Sequence, residues 1–89
     1  MSFGFVAFHY PAPEHFEEFV EGCHEVIAAG RAQPGFERAD VWVTPDGEAV
    51  VTIASFESEE AFQAAAEAIG PQSEEQEIKP RQIHFLQSR

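Results

Sequence analysis

One segment limits the folds open to this chain more than any other. Residues Phe36 to Thr44 and Glu48 to Phe56 are rich in β-branched and aromatic types, and Thr44-Pro45-Asp46-Gly47-Glu48 joins them. Proline presets the first turn position, aspartate accepts local backbone hydrogen bonds, and glycine reaches positive φ without steric cost. The pattern predicts a β-hairpin closed by a type I turn with a G1 bulge, a three-residue loop. A lone hairpin is marginal in water, so the flanking segments must cover it.

Both flanks pair a helix with a strand. Phe3 to Tyr10 reads as a strand stopped by Pro11-Ala12-Pro13. Phe16, Phe19, Val20, Cys23, Val26 and Ile27 then recur at helical spacing among glutamates, which predicts a helix from about Pro13 to Arg31, ended by Gln33-Pro34-Gly35. After the hairpin, Ser58 is a plausible N-cap for a second helix over Glu59 to Ile69, with Phe62, Ala65, Ala66 and Ile69 on its apolar face and Gly70-Pro71 at its end. Gln72 to Glu77 reads as an acidic loop. Ile78 to Leu86 reads as a last strand, in which Pro80 implies an edge position or a bulge.

The resulting order is β-α-β-β-α-β, a ferredoxin-like α+β fold in one domain spanning residues 1–89. Two helices would cover one face of a four-stranded antiparallel sheet of order 4-1-3-2. Strand parity decides what the other face carries. A three-residue loop pairs Thr44 with Glu48, Trp42 with Val50 and Asp40 with Thr52. Val6, Phe8, Val41, Val43, Val51, Ile53, Ile83 and Phe85 then make one apolar surface. The opposite, mixed set includes His9, Trp42, Thr52 and His84, and the helix side is its expected place. A two-residue turn would reverse the relation between the hairpin strands. An apolar sheet face of this size calls for a partner, and a second copy packed sheet to sheet is the natural one.

Composition removes other classes. Sixteen Asp and Glu against five Lys and Arg give a net charge of −11, which argues against nucleic acid and against an anionic membrane. No apolar stretch approaches the roughly 20 residues that span a bilayer. The N-terminus lacks the basic region and cleavage site of a signal peptide. Cys23 is the only cysteine, which excludes an internal disulfide and a Cys-based zinc site and suits a reducing, cytoplasmic setting. It lies on the apolar stripe of the first helix and reads as an inert core thiol. His15 and His24 fit no metal-ligand spacing, so no metal site is expected.

With these elements in place, three pieces of sequence resemble the antibiotic biosynthesis monooxygenase (ABM) family of dimeric α+β barrels. They are the first strand running into a Pro-x-Pro helix start, Gln33-Pro34-Gly35-Phe36, and above all Ala54-Ser55-Phe56-Glu57-Ser58-Glu59-Glu60-Ala61-Phe62. The resemblance implies a homodimer with a ligand cleft between sheet and helices in each subunit. Members of that family include cofactor-free oxygenases of polyketide quinols and anthrones, and haem-degrading enzymes. The haem-degrading branch uses an Asn on the first strand, a Trp ending the third and a His soon after the second helix. This chain has no Asn, has Phe56 at the strand end and has no His in Gly70 to Glu77, so all three positions depart. The cofactor-free branch also commonly uses Asn, but Trp42, Tyr10 and Arg38 supply its other residue types.

Cofactor-free oxygenation needs an apolar pocket, a base of near-neutral pKa and donors for developing negative charge. His9 and His84 are the candidate bases, on strands expected to be neighbours and on the same face. Trp42 is the third candidate for the chemistry, as a ring wall and N–H donor; its plainer role is a core or interface aromatic. Phe5, Phe56, Thr52, Arg38 and Tyr10 are candidates for holding a small aromatic ligand. Against these stand a surface ion pair of Arg38 with Asp40 and rim packing by Tyr10. The expectation is a cofactor-independent monooxygenase of a small quinol or phenol. The alternatives are a ligand-binding or isomerase-like dimer of the same fold, and an interaction module whose helix–sheet space is filled.

Overall fold

The computed structural model describes residues 1–89. Four strands and two helices follow the expected order: β1 (Phe3–His9), α1 (Phe16–Arg31), β2 (Phe36–Val43), β3 (Val50–Phe56), α2 (Glu59–Ile69) and β4 (Gln82–Gln87). The sheet runs β2-β3-β1-β4, with every neighbour antiparallel. Consecutive strands β2 and β3 form the hairpin, while each helix carries the chain across the sheet to a non-adjacent position.

The helices end where local chemistry dictates. Pro13 opens a single 3-10 turn, Pro13–His15, and the α-helix proper starts only at Phe16. Ser58 caps α2, its side-chain oxygen accepting from the Ala61 N–H at 3.1 Å, and Gly70 ends it at φ 85°. Gly35 joins α1 to β2 at φ 83°, where a Cβ would stand 2.7 Å from the Ala61 Cβ. No side chain fits that approach, which lets β2 lie close to the start of α2.

The hairpin loop is one residue longer than the sequence pattern suggests. Thr44 N–H donates to the Ala49 carbonyl at 3.0 Å, and Gly47 N–H donates to the Thr44 carbonyl at 2.9 Å. The Thr44 hydroxyl accepts the Ala49 N–H at 2.9 Å, while Asp46 takes the Glu48 N–H at 3.0 Å. These side-chain oxygens draw Glu48 into the loop, so Pro45 to Glu48 form four loop residues. Val43 then pairs with Val50, Trp42 with Val51 and Val41 with Thr52. A one-residue slip moves every side chain of a strand to the other face. Val41 and Val43 therefore join the helix side, and Trp42, Asp40 and Arg38 the open side. An irregularity between Phe36 and Arg38 returns Phe36 to the helix side, opposite Phe56.

The last strand is corrected in the same way. It begins at Gln82 instead of Ile78, because residues before it turn back along the end of β1. Ile78 N–H donates to the Tyr10 carbonyl at 2.8 Å, and Pro11 bridges to Glu77. Ile83 pairs with Ala7 and Phe85 with Phe5, both on the helix side, whereas His84 pairs with Val6 on the open side.

Burial is sparse. Ten residues are buried, and Val50 is the largest side chain fully enclosed. The accessible surface of 5914 Å² exceeds the roughly 5,200 Å² typical of a monomer of this mass. Two features account for the excess: a cleft between α1 and the sheet, and an open sheet face on which Trp42 is 62 % exposed. No helix is long and apolar enough to cross a membrane.

Candidate functional site

The helix-facing side of the sheet carries both small and large residues, and the small ones make room. Ala7, Ala39, Thr52 and Ala54 sit where α1 passes overhead with Phe19, Cys23, Val26 and Ile27. Bulky residues there would bring helix and sheet together; these leave a cavity of about 230 Å³. A second chamber of about 230 Å³ adjoins it, sharing apolar Phe5, Val26, Ile27, Ala39, Ala54 and Ile83 and polar Gln72. Phe36, Phe56, Phe62 and Phe85 line the second chamber. Phe62 lies with its ring centroid 5.3 to 5.8 Å from Phe3, Phe5, Phe56 and Phe85. The helix–sheet space is thus not filled, which weighs against the alternative of an interaction module with a filled interior.

Polar groups gather at the first chamber's end. His9 closes β1, nearly buried, with its ring 5.2 Å from Phe19. Its Nε2 lies 3.3 Å from Thr52 Oγ1 and its Nδ1 lies 3.4 Å from Glu77 Oε1. At that separation buried Nδ1 has Glu77 as an ion-pair neighbour but no formed hydrogen bond. Glu77 is itself almost wholly enclosed, its side chain 2 % exposed. Arg81 donates from Nε to Glu77 Oε2 at 2.8 Å, again from a terminal nitrogen, and from that nitrogen to the Ser73 carbonyl at 2.9 Å. Tyr10 N–H adds a contact to Glu77 Oε1 at 3.4 Å.

Burial favours the neutral imidazole and sets His9 below its ordinary pKa; the nearby Glu77 carboxylate opposes this, and Arg81 reinforces it. Cys23 lines the same chamber, but burial pushes its thiol up to about 11, with Glu77 adding to the effect. It stays protonated near neutral pH and is no nucleophile. No group of three or more His, Cys, Asp and Glu side chains comes together as a metal site.

Of the residues singled out from sequence, His9, Thr52 and Phe5 meet in the first chamber, while Phe5 and Phe56 meet in the second. Trp42, Arg38 and His84 do not join them. Their strands pair one residue out of the expected parity, which puts these side chains on the other side of the sheet. His9 and His84 are therefore not a same-face pair. Exposed Arg38 instead forms a surface ion pair with partly exposed Asp40 at 3.1 Å. Tyr10 lies past the end of β1, with Lys79 over its ring at 5.5 Å. Sequence reasoning missed Glu77, Arg81 and the central place of Phe62. The one available signal was an arginine four residues after a glutamate in a chain with only five Lys and Arg.

The model of the antibiotic biosynthesis monooxygenase family matches residues 2–68. Rv0793 from Mycobacterium tuberculosis is a similar solved structure, with a TM-score of 0.88 and 18 % identity, covering 100 % of this chain and 96 % of that one. A conserved protein from Methanosarcina mazei Go1 gives a TM-score of 0.86 and 18 % identity over 100 % of this chain and 94 % of that one. SnoaB from Streptomyces nogalater, a cofactor-independent oxygenase, gives a TM-score of 0.71 and 21 % identity, covering 99 % and 93 %. No curated protein matches the chain in sequence.

Proposed function

The chain belongs to the antibiotic biosynthesis monooxygenase family, and from that premise we propose that it is a cofactor-independent monooxygenase of a small phenolic or quinol-type aromatic. The observation that carries this reading is His9: a nearly buried imidazole, its pKa lowered by burial, beside Thr52 in a mostly apolar cleft. In this scheme the substrate rings lie along Phe5 toward Phe62 and the ionisable group reaches His9 and Thr52.

His9 accepts the substrate proton, and the apolar walls exclude water from the resulting anion. The anion reduces O₂ directly. At an activated ring methylene, two hydrogens leave and one oxygen enters as a carbonyl; the second oxygen departs as water. The substrate supplies all four electrons. Thr52 and protonated His9 are the donors available to the developing charge on oxygen.

The reading includes a homodimer. Val6, Phe8, Val51, Ile53, Trp42 and Leu86 make an apolar sheet face that neither helix covers, and a second copy packed against it would bury that face.

Oxygen-electrode assays with an anthrone and a quinol panel test the reaction. Uptake above the buffer rate, cut about a hundredfold or more by His9→Gln, is expected. No uptake across the panel would refute the oxygenase. A second reading, ligand binding without turnover, has one specific support: Nε2 of His9 already faces the Thr52 hydroxyl. Binding of the same panel under anaerobic conditions, with no oxygen-dependent loss of ligand in air, would favour it.

A further inference from the structure

Glu77 has no part in the reaction as written, although its carboxylate is enclosed against the candidate base. Resting on the reading of His9 as that base, we propose that Glu77 is its positioning residue: it holds the proton of neutral His9 on Nδ1 and so leaves the lone pair on Nε2, the nitrogen that faces Thr52. Three features of the geometry support this.

First, an ionised carboxylate only accepts hydrogen bonds. A bare Nδ1 lone pair 3.4 Å from Glu77 Oε1 is repelled, whereas an N–H there is attracted. Nδ1 is fully buried with no other hydrogen-bond partner, so nothing competes with Glu77 for it. The Thr52 hydroxyl can donate or accept and therefore follows the choice made at Nδ1, donating to Nε2 across 3.3 Å.

Second, the carboxylate cannot swing away. Arg81 grips Oε2 twice and is tied to the Ser73 carbonyl, leaving Oε1 directed at His9. The backbone around Glu77 is fixed to the end of β1, because Ala12 N–H donates to the Gln76 carbonyl and Ile78 N–H to the Tyr10 carbonyl, each at 2.8 Å. Third, the Phe19 ring at 5.2 Å restrains the imidazole plane from the helix side. A 3.4 Å Nδ1 approach is the kind of contact that tightens in a substrate complex. A proton taken at Nε2 makes both nitrogens donors, and the new positive charge then faces Glu77 directly. The charged groups acting on His9 are Glu77, Arg81 and Glu74, all from the segment before β4; α1 presents Phe19 and the neutral Cys23 thiol, and β3 presents Thr52.

The test is NMR of the full chain labelled with ¹⁵N-histidine, in which multiple-bond proton–nitrogen correlations identify the protonated ring nitrogen. Neutral His9 is expected as the Nδ1–H form in the wild type and in Thr52→Val. Glu77→Gln keeps the shape but removes the charge, so the His9 protonation midpoint falls by about one pH unit. Glu77→Leu removes the acceptor, and the proton moves to Nε2, toward Thr52. A purely structural Glu77 would move neither readout. An Nε2–H form in the wild type, or a Glu77→Gln midpoint that is unchanged or higher, overturns the proposal. None of these signals requires turnover, so failure here is distinct from failure of the oxygenase reading, which oxygen uptake reports.

Discussion

Phe62 offers the most quantitative test of the packing that builds the cleft. Its ring meets Phe3, Phe5, Phe56 and Phe85 at centroid distances of 5.3 to 5.8 Å, which makes it the common neighbour of three strands. Truncating a fully buried phenylalanine to alanine costs about 3–5 kcal/mol, and well-oriented aromatic pairs add about 0.5–1.5 kcal/mol each beyond buried area. Phe62 is only half-buried because one side of its ring faces the second chamber. The lower end of that range is therefore appropriate, and Phe62→Ala should cost about 3 kcal/mol. For a domain of this length, that lowers Tm by roughly 12–24 °C. Phe62→Leu retains most of the apolar volume and should lose about half as much. Thermal unfolding followed by circular dichroism, at one fixed protein concentration for all variants, reads both values. A loss below about 1 kcal/mol for Phe62→Ala would show that the aromatic cluster does not hold α2 to the sheet.

Other outcomes follow from the same geometry. Gly35→Ala should destabilise by about 2 kcal/mol or more, since it meets both a left-handed φ and a 2.7 Å approach to Ala61. Gly47→Ala, at φ 74° with nothing near the added carbon, should cost only about 1 kcal/mol; equal losses in urea titrations would contradict the crowding at Gly35. His9 sits below its ordinary pKa in the folded chain, so between the folded and unfolded values the unfolded state binds more protons. Stability must then fall as pH drops from about 6.5 toward the folded value, and His9→Phe should flatten that part of the curve; an unchanged slope would refute the burial argument. Trp42→Lys on the open face should shift sedimentation from dimer to monomer at micromolar concentration, whereas a wild-type monomer there would remove the basis for a sheet-to-sheet dimer.

Elements with strong local chemistry were legible in the sequence. Ser58, Gly70 and the apolar spacing of Phe62, Ala65 and Ile69 define α2 to the residue. The helical spacing from Phe16 likewise marks α1, and only its 3-10 start at Pro13 differs. Register was not legible, because it hangs on single atoms. Thr44-Pro45-Asp46-Gly47-Glu48 suits loops of several lengths, and the Thr44 hydroxyl taking the Ala49 N–H selects the four-residue one. That selection alone moves Trp42 and Arg38 off the helix side. In β4, Ile83 and Phe85 alternate with His84 and Leu86, so hydropathy does not say which pair faces the helices. Glu77 was hidden for a different reason. A glutamate in an acidic loop reads as solvated, and only the return of residues 76–78 along β1 brings it under His9. The candidate site was thus half visible: His9, Thr52, Phe5 and Phe56 were named, while the groups that set the behaviour of His9 were not.

The most direct test of the account is where a ligand goes. Anaerobic titration of the chain with a hydroxylated anthrone, followed through the ring resonances of the histidines, separates the two faces of the sheet without requiring turnover. With the ligand in the helix-side cleft, His9 should shift and broaden saturably while His84 stays in place. Saturable shifts at His84 and the Trp42 indole, with His9 unmoved, would contradict it.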